Sequence, residues 1–340
     1  MEVNQEKVLV TGASGYIALH CISELLRNGY KVKGSLRDLN RENEVRKSLG
    51  TEFKNEEIEF CKLNLLEDEG WEAAASDCDY LLHIASPCFI EEPQNEKQLI
   101  EPALQGTLRA LKAAQKSKLK KVVLTSSMGA IAYGHNKSTC DHNDWTDISQ
   151  DVGAYIKSKT IAEKAAWDFV KNQSESSVPM TTIHPGMVFG PLLSNDIEGI
   201  SASLITKMIT GKFPALPDIY FTVVDVRDIA KLHVQSLKNK GSDYKRIIAT
   251  SQKGIPFLEI SNILRELGFK KSPKKLIPTL LIKSLAIFNK NMKSTTSMIE
   301  RGRYGANISE TMSLYNWEPT PFKKTLEDMT NSLKNIGVYD

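Results

Sequence analysis

The stretch "KVLVTGASGYIALHCISELL", residues 7–26, decides the fold. It opens with β-prone apolar residues, passes through a run of small ones, and ends in apolar side chains at helical spacing. A strand, a tight turn and an amphipathic helix therefore follow one another without a spacer. Gly12 permits the turn, Gly15 lets main-chain N–H groups come close to an anion, and the helix start supplies the positive end of a dipole. Ala18 stands where a third small residue lets helix and strand pack closely.

The alternation continues outward. "KVKGSLR" (31–37), "IEFCKL" (58–63), "YLLHIA" (80–85) and "KVVLTSS" (121–127) read as further strands, separated by "NRENEVRKSLG" (40–50) and "EKQLIEPALQGTLRALKAAQKSK" (96–118), which read as helices. Strand and helix in regular succession predict an α/β fold, a Rossmann-type doubly wound parallel sheet. In that context the glycine turn is a dinucleotide site, and Thr11, Gly12, Ser14, Gly15, Tyr16 and Ile17 are its cofactor-facing residues. Beyond residue 185 the prolines Pro185, Pro191, Pro214 and Pro217 break the pattern, and "FTVVDVRDIAKLHVQSL" (221–237) returns to strand and helix. We expect residues 1–185 to form the nucleotide-binding domain, completed by roughly 220–250. Residues 186–219 and 251–340 are then a smaller C-terminal substrate-binding lobe.

Composition narrows the function. The 340 residues carry 44 Lys and Arg against 41 Asp and Glu, spread along the chain, so no basic stripe recommends nucleic acid or an anionic membrane. Five cysteines with no CxxC suit free, buried thiols in a reducing compartment. The start "MEVNQEKVLV" lacks a basic, apolar leader, and "LIPTLLIKSLAIF" (276–288) is too short to span a bilayer, so a cytoplasmic enzyme is expected.

The segment "GSLRDLNR" (34–41) selects the dinucleotide. An acid at this distance from the glycines bonds the ribose 2′-hydroxyl of NAD, whereas arginine pairs with the 2′-phosphate of NADP. With the strand ending at Ser35 or Leu36, Arg37 faces the adenine ribose first, and Asp38 caps the following helix. NADP(H) is the expected cofactor, with Arg41 a second phosphate contact.

Two Tyr-x-x-x-Lys spacings occur, Tyr133 with Lys137 and Tyr155 with Lys159; with ten tyrosines in a lysine-rich chain, roughly one arises by chance. On a helix such a pair shares one face. "VGAYIKSKTIAEKAAWDFVK" (152–171) is helical in period, while "YGHNK" (133–137) reads as a turn, which leaves Tyr155 and Lys159. An ammonium near a phenol stabilises its phenolate and brings it toward the working range of a general acid. "LTSSMGA" (124–130) supplies a hydroxyl at the carboxyl edge of the sheet, in Ser127 or Ser126.

With "TGASGYI" (11–17), "LTSS" (124–127) and "YIKSK" (155–159), the chain resembles the extended short-chain dehydrogenase/reductases over nearly its whole length. "HIASP" (83–87), "EKAAWDF" (163–169), "HPGMVFGP" (184–191) and "FTVVDVRDIAKLH" (221–233) look like the dihydroflavonol-reductase-like aldehyde and ketone (carbonyl) reductases of that group. The resemblance implies that Ser127 holds a carbonyl oxygen, Tyr155 donates the proton, and Lys159 tunes Tyr155 and binds the nicotinamide ribose. It aligns the usual NAD-binding acid with Leu36, sets Asn64 and Leu65 beside adenine, and puts Ala85, Pro185 and Val188 on the nicotinamide side. Two departures narrow the substrate: "GAYIKSK" (153–159) lacks the aromatic and cysteine signature of cinnamoyl-CoA reductases, and "AIAYG" (130–134) lacks the amide of flavonoid reductases. Met128 and Gly129, where sugar-nucleotide dehydratases carry acids, argue against dehydration.

Other features read as structure. His83 is expected to be a hydrogen-bonded core residue, "DVRD" (225–228) a salt-bridged turn holding the lobes together, with substrate contact as the alternative, "KSPKK" (271–275) a solvated loop, and "CDHNDW" (140–145) no metal site. Met187, Phe189, Leu192, Leu193, Phe213, Ile219 and Phe221 fit either a pocket wall or plain core. The expected protein is an NADPH-dependent reductase of a small-molecule aldehyde or ketone, monomeric or homodimeric. The competing readings are an NAD-dependent sugar-nucleotide epimerase and a non-catalytic NADP-binding redox sensor.

Overall fold

Alternate residues of the central strands feed two different cores, which is why these strands read as unbroken apolar runs. A computed structural model of the chain describes residues 6–51, 53, 57–88, 92–173, 177–286 and 290–339. Residues 1–5, where a leader was sought, and 287–289, near the end of the apolar 276–288 stretch, lie outside the described residues.

The first half runs β1 (Lys7–Val10), α1 (Tyr16–Arg27), β2 (Lys31–Leu36), α2 (Glu42–Leu49), β3 (Ile58–Lys62), α3 (Trp71–Ala75), β4 (Tyr80–His83), α4 (Lys97–Lys116) and β5 (Lys121–Thr125). There follow β6 (Thr139–Cys140), α5 (Ala154–Asn172), β7 (Met180–Pro185), β8 (Met187–Phe189), α6 (Ile200–Ile209), β9 (Tyr220–Phe221), β10 (Val223–Asp225), α7 (Val226–Lys238) and β11 (Arg246–Ala249). The chain ends through β12 (Ile255–Pro256), α8 (Phe257–Glu266), α9 (Thr279–Ala286), α10 (Lys290–Arg301), β13 (Gly305–Ala306), α11 (Ser309–Tyr315) and α12 (Phe322–Asn335).

Seven strands form one parallel sheet in the order β3-β2-β1-β4-β5-β7-β11. Winding reverses between β1 and β4, and in such a sheet the ligand crevice lies outside the carboxyl ends of the strands at that reversal. Val8, Val10, Leu82 and Val123 face the core under α1 and α7, whereas Leu9, Leu81, Val122 and Leu124 face the one under α3, α4 and α5. Each fully buried leucine contributes about 2 kcal/mol to holding these layers together.

A third core gathers Phe189, Ile205, Leu216, Ile260, Leu326 and Met329 from β8, α6, α8, α12 and a connecting loop. Of the residues that fitted pocket or core alike, Phe189, Leu192 and Ile219 belong to this core, and Met187, Phe213 and Phe221 pack against it. Leu193 packs instead against the core under α1 and α7.

Asp225 is the joint between the sheet side and this third core. Its carboxylate caps α7 by accepting Arg227 N–H at 2.8 Å, binds the Arg227 guanidinium at 2.7 and 2.9 Å, and accepts the Thr325 hydroxyl of α12 at 2.8 Å. Arg227 reaches on to Asp328 at 2.8 Å, and Asp228 accepts Thr320 N–H at 2.8 Å. All five cysteines are free, but the expectation that they are buried needs correction: Cys21 and Cys140 are buried, Cys61 and Cys78 partly so, and Cys88 is exposed on the loop after β4. Among the described residues, no helix is long and apolar enough to cross a membrane.

Candidate active site

Between β1 and α1 the chain turns at Gly12, whose φ of +72° lies in the left-handed region. A Cβ there would come within 3.1 Å of the Ala85 Cβ and 3.2 Å of its Cα, so the glycine also lets the end of β4 close on the turn. Gly12 N–H donates to Ser35 Oγ at 3.1 Å and Ala13 N–H to the Ser35 carbonyl at 2.9 Å, which fixes the turn to β2. Gly15 caps α1 without any side-chain hydrogen bond, and the first turn of α1 holds no acid. Among the described residues, the first-turn N–H groups thus have no side-chain partner and fit an anionic ligand such as a pyrophosphate.

Thr11 was expected beside the cofactor, but its buried hydroxyl is occupied elsewhere. It accepts the N–H groups of Ile84 and Ala85 at 3.0 Å each and pairs with His83 Nδ1 at 3.0 Å. With two donors already on the oxygen, the hydroxyl proton goes to Nδ1, and burial pushes His83 down to about 3, so the imidazole is neutral. His83 is the hydrogen-bonded core residue that was expected. Tyr16 donates to the Gly190 carbonyl at 2.8 Å, and Ile17 packs against the core under α1.

At the end of β2, Leu36 is buried and Arg37 exposed, and no described residue holds the Arg37 guanidinium by a hydrogen bond or ion pair. Asp38 accepts Asn40 N–H at 3.0 Å and so caps a short turn of 3-10 helix over Leu39–Arg41. Arg41 donates to Ser14 Oγ at 3.1 Å while paired with Glu44 at 2.7 Å, which brings it to the glycine turn.

Asn64 and Leu65, expected beside adenine, make further contacts within the protein. The Asn64 amide accepts Leu66 N–H at 3.1 Å and donates to Glu67 at 2.6 Å, so it builds its own turn. Leu65 lies so close to Gly106 of α4 that a Cβ on the glycine would sit 2.4 Å from its Cδ2, and its carbonyl accepts Arg109 at 2.8 Å.

Tyr155, Lys159 and Glu163 stand four residues apart on one face of α5. Tyr133 is no rival: its hydroxyl meets that of Tyr304 at 3.4 Å, and Lys137 pairs with Asp144 of the "CDHNDW" loop. The pleat separates the two serines after β5. Ser126 is buried and donates to Glu163 at 2.6 Å, whereas Ser127, partly exposed, accepts Gly129 N–H at 3.0 Å and turns its hydroxyl to the Tyr155 phenol. Lys159 is 8% exposed and donates to the Thr125 carbonyl at 3.2 Å. Burial pushes Lys159 down to about 8, against the opposing pull of Cys88 and Glu163.

One expectation is reversed here. Lys159 was to draw the phenol of Tyr155 down, but burial pushes it well above the usual range, Cys88 adds to this, and the Ser127 hydroxyl offsets part of it. The ammonium is turned to Thr125 instead. A cavity of about 10 Å³, room for roughly one water, lies among His83, Ala85, Thr125, Ser126, Lys159 and Glu163. Pro185 ends β7 beside Ala249, and Val188 pairs with Val224, so both build the β7–β8 junction.

No sequence motif gives a role to Glu163 or Arg246. Glu163 receives Arg246 Nε at 2.7 Å and Trp167 Nε1 at 3.1 Å, and meets His184 Nε2 at 2.8 Å. The signal available was the continued four-residue spacing past Lys159 on α5.

Residues 8–248 match the sequence model of the NAD-dependent epimerase/dehydratase family, from β1 into β11. The chain belongs to this family. A cinnamoyl-CoA reductase from Medicago truncatula is 37% identical over 268 residues, covering 76% of this chain and 80% of that protein. A bifunctional dihydroflavonol 4-reductase/flavanone 4-reductase from Pyrus communis is 30% identical over 294 residues, covering 82% and 80%. Among solved structures, yeast methylglyoxal/isovaleraldehyde reductase Gre2 complexed with NADPH superposes with a TM-score of 0.79 at 25% identity, over 98% of this chain and 100% of that one. Within the NAD-dependent epimerase/dehydratase family, the chain is thus similar to extended short-chain reductases, as its motifs implied.

Proposed function

We propose that the protein is an NADPH-dependent reductase that converts aldehydes or ketones to alcohols. The observation that carries this reading is Tyr155, facing the Ser127 hydroxyl and one helical turn from buried Lys159, in a sheet whose first helix starts uncapped. The yeast and Candida albicans Gre2 structures complexed with NADPH support the choice of cofactor. When bound, NADPH supplies a hydride to the carbonyl carbon. Ser127 and Tyr155 bind the carbonyl oxygen, and Tyr155 gives it a proton as negative charge develops there. Lys159 holds the ribose hydroxyls, and the free N–H groups of α1 hold the pyrophosphate. Residues 186–219 and 251–340 close over the substrate as its binding lobe. The five free thiols fit a cytoplasmic setting.

The test is NADPH consumption across a panel of aldehydes, α-dicarbonyls, β-ketoesters and aryl ketones. Turnover of at least one class is expected. Purified protein that retains NAD tightly and oxidises NADPH with none of them would overturn the reading in favour of an epimerase.

Arg37 carries the preference for NADPH, because its guanidinium is unpaired among described residues while Asp38 is occupied as a cap. Arg37→Gln is expected to raise KM for NADPH by roughly 10- to 100-fold, the worth of a charge-assisted hydrogen bond or two, and to leave KM for NADH nearly unchanged. Parallel increases for both cofactors would assign the 2′-phosphate to another residue.

A further inference from the structure

Glu163 is a buried carboxylate that the proposed reaction does not use. It is 1% exposed and gathers partners from four elements: Ser126 after β5, Trp167 of α5, His184 of β7 and Arg246 of β11. A buried carboxylate this well satisfied stays ionised, and the donors hold it far below the usual range.

Its place relative to the reacting groups is what gives it a function. It follows Lys159 by one turn on the same face, and both line the same small cavity. The groups around Lys159 are His83 of β4, Cys88 on the next loop, the Thr125 carbonyl, and Tyr155 and Glu163 on its own helix, with Arg246 and His184 acting through Glu163. Among the described residues, Glu163 is the one carboxylate that acts on Lys159. On the other side it fixes Ser126, and in an extended chain a fixed Ser126 turns Ser127 to the opposite face, toward Tyr155.

We propose that Glu163 is a positioning residue: its carboxylate holds Lys159 as the ammonium and clamps Ser126 so that Ser127 presents its hydroxyl to Tyr155. The proposal rests on the reading of Lys159 as the cofactor-binding lysine. Arg246 is the counterweight. Its guanidinium lies 3.8 Å from the Trp145 ring centre and donates to the His142 and Asp144 carbonyls at 2.7 and 2.6 Å, so it stays in place when Glu163 is changed. Removing the anion alone leaves Lys159 facing a net cation. Removing the cation alone leaves it facing a fuller anion, still held by Ser126 and His184.

The two variants therefore move one quantity in opposite directions. NADPH affinity, read by fluorescence without any substrate, is expected to fall in the wild type as pH rises through the titration of Lys159 near 8. In Glu163→Gln the midpoint of that fall moves down by roughly one pH unit, and in Arg246→Gln it moves up by a similar amount. Arg246→Lys, which keeps the charge, restores the wild-type midpoint. Should Glu163→Gln fail to fold, the Arg246 pair carries the test by itself. Lower melting temperatures with unmoved midpoints would leave Glu163 a structural residue only and overturn the proposal. A wild-type profile with no alkaline fall would overturn the cofactor role of Lys159, and the proposal with it.

Discussion

Tyr155→Phe is expected to lower kcat/KM for carbonyl reduction by about 10²- to 10⁴-fold, the range for loss of a positioned general acid, while NADPH affinity hardly changes. The substitution removes one oxygen and keeps the ring, so α5 keeps its packing and Lys159 its bond to Thr125. The raised phenol sharpens the expectation. Burial keeps Tyr155 protonated through the neutral range, so it is present as a donor at the start of every turnover. The alkoxide it meets is a stronger base than a phenolate, so the transfer remains downhill. Steady-state kinetics with the best carbonyl of the panel, beside fluorescence titration with NADPH, reads both quantities. A variant that keeps activity within tenfold of the wild type removes Tyr155 from the reaction.

Asp225→Ala is expected to cost roughly 3 kcal/mol of stability, at the low end for breaking a buried ion pair because Arg227 keeps some contact with water. Four donor contacts to one carboxylate are lost together, including the cap of α7 and the tie to Thr325 of α12. For a chain of this size the melting temperature falls by about 5 °C. Asp225→Asn keeps the shape and part of the cap, so its loss is smaller. The carboxyl is held below its usual range in the folded protein, chiefly by Arg227 against the cost of burial. Its stabilisation is therefore complete above the unfolded value of about 4 and is lost as pH falls below it. The gap between wild type and Asp225→Asn should close in acid, as thermal melts at neutral and acidic pH can show. An Ala variant that melts with the wild type would dismiss Asp225 as the joint.

The nucleotide half of the fold was legible because its strands are buried on both faces and its helices on one, so each period stands out in the sequence. Asp38 was legible too, since an acid just after a strand and before a helical segment has few better uses than a cap. The choice between Ser126 and Ser127 rested on the family resemblance alone: both follow the same strand, and the pleat tells which faces Glu163 and which Tyr155. Thr11 and Asn64 sit where a ligand contact was expected, yet the end of β4 occupies the Thr11 hydroxyl and a local turn engages the Asn64 amide. Glu163 looked like one more acid in a lysine-rich helix. Its partner Arg246 stands 83 residues away, and no local pattern announces a pair that only the order of the strands creates.

That order has a consequence for how the protein comes into being. β11 is the outermost strand beside β7, and it is the last strand of the sheet to leave the ribosome. At about 5–20 residues per second, translation takes roughly 3–13 s to pass from Pro185, the end of β7, to Ala249, the end of β11. Through that interval the outer edge of β7 has no partner, and the Glu163 carboxylate has been made without the arginine that will neutralise it. The helix bearing Tyr155 is complete long before its deepest charge is balanced, so maturation of the site waits on a strand synthesised more than seventy residues later.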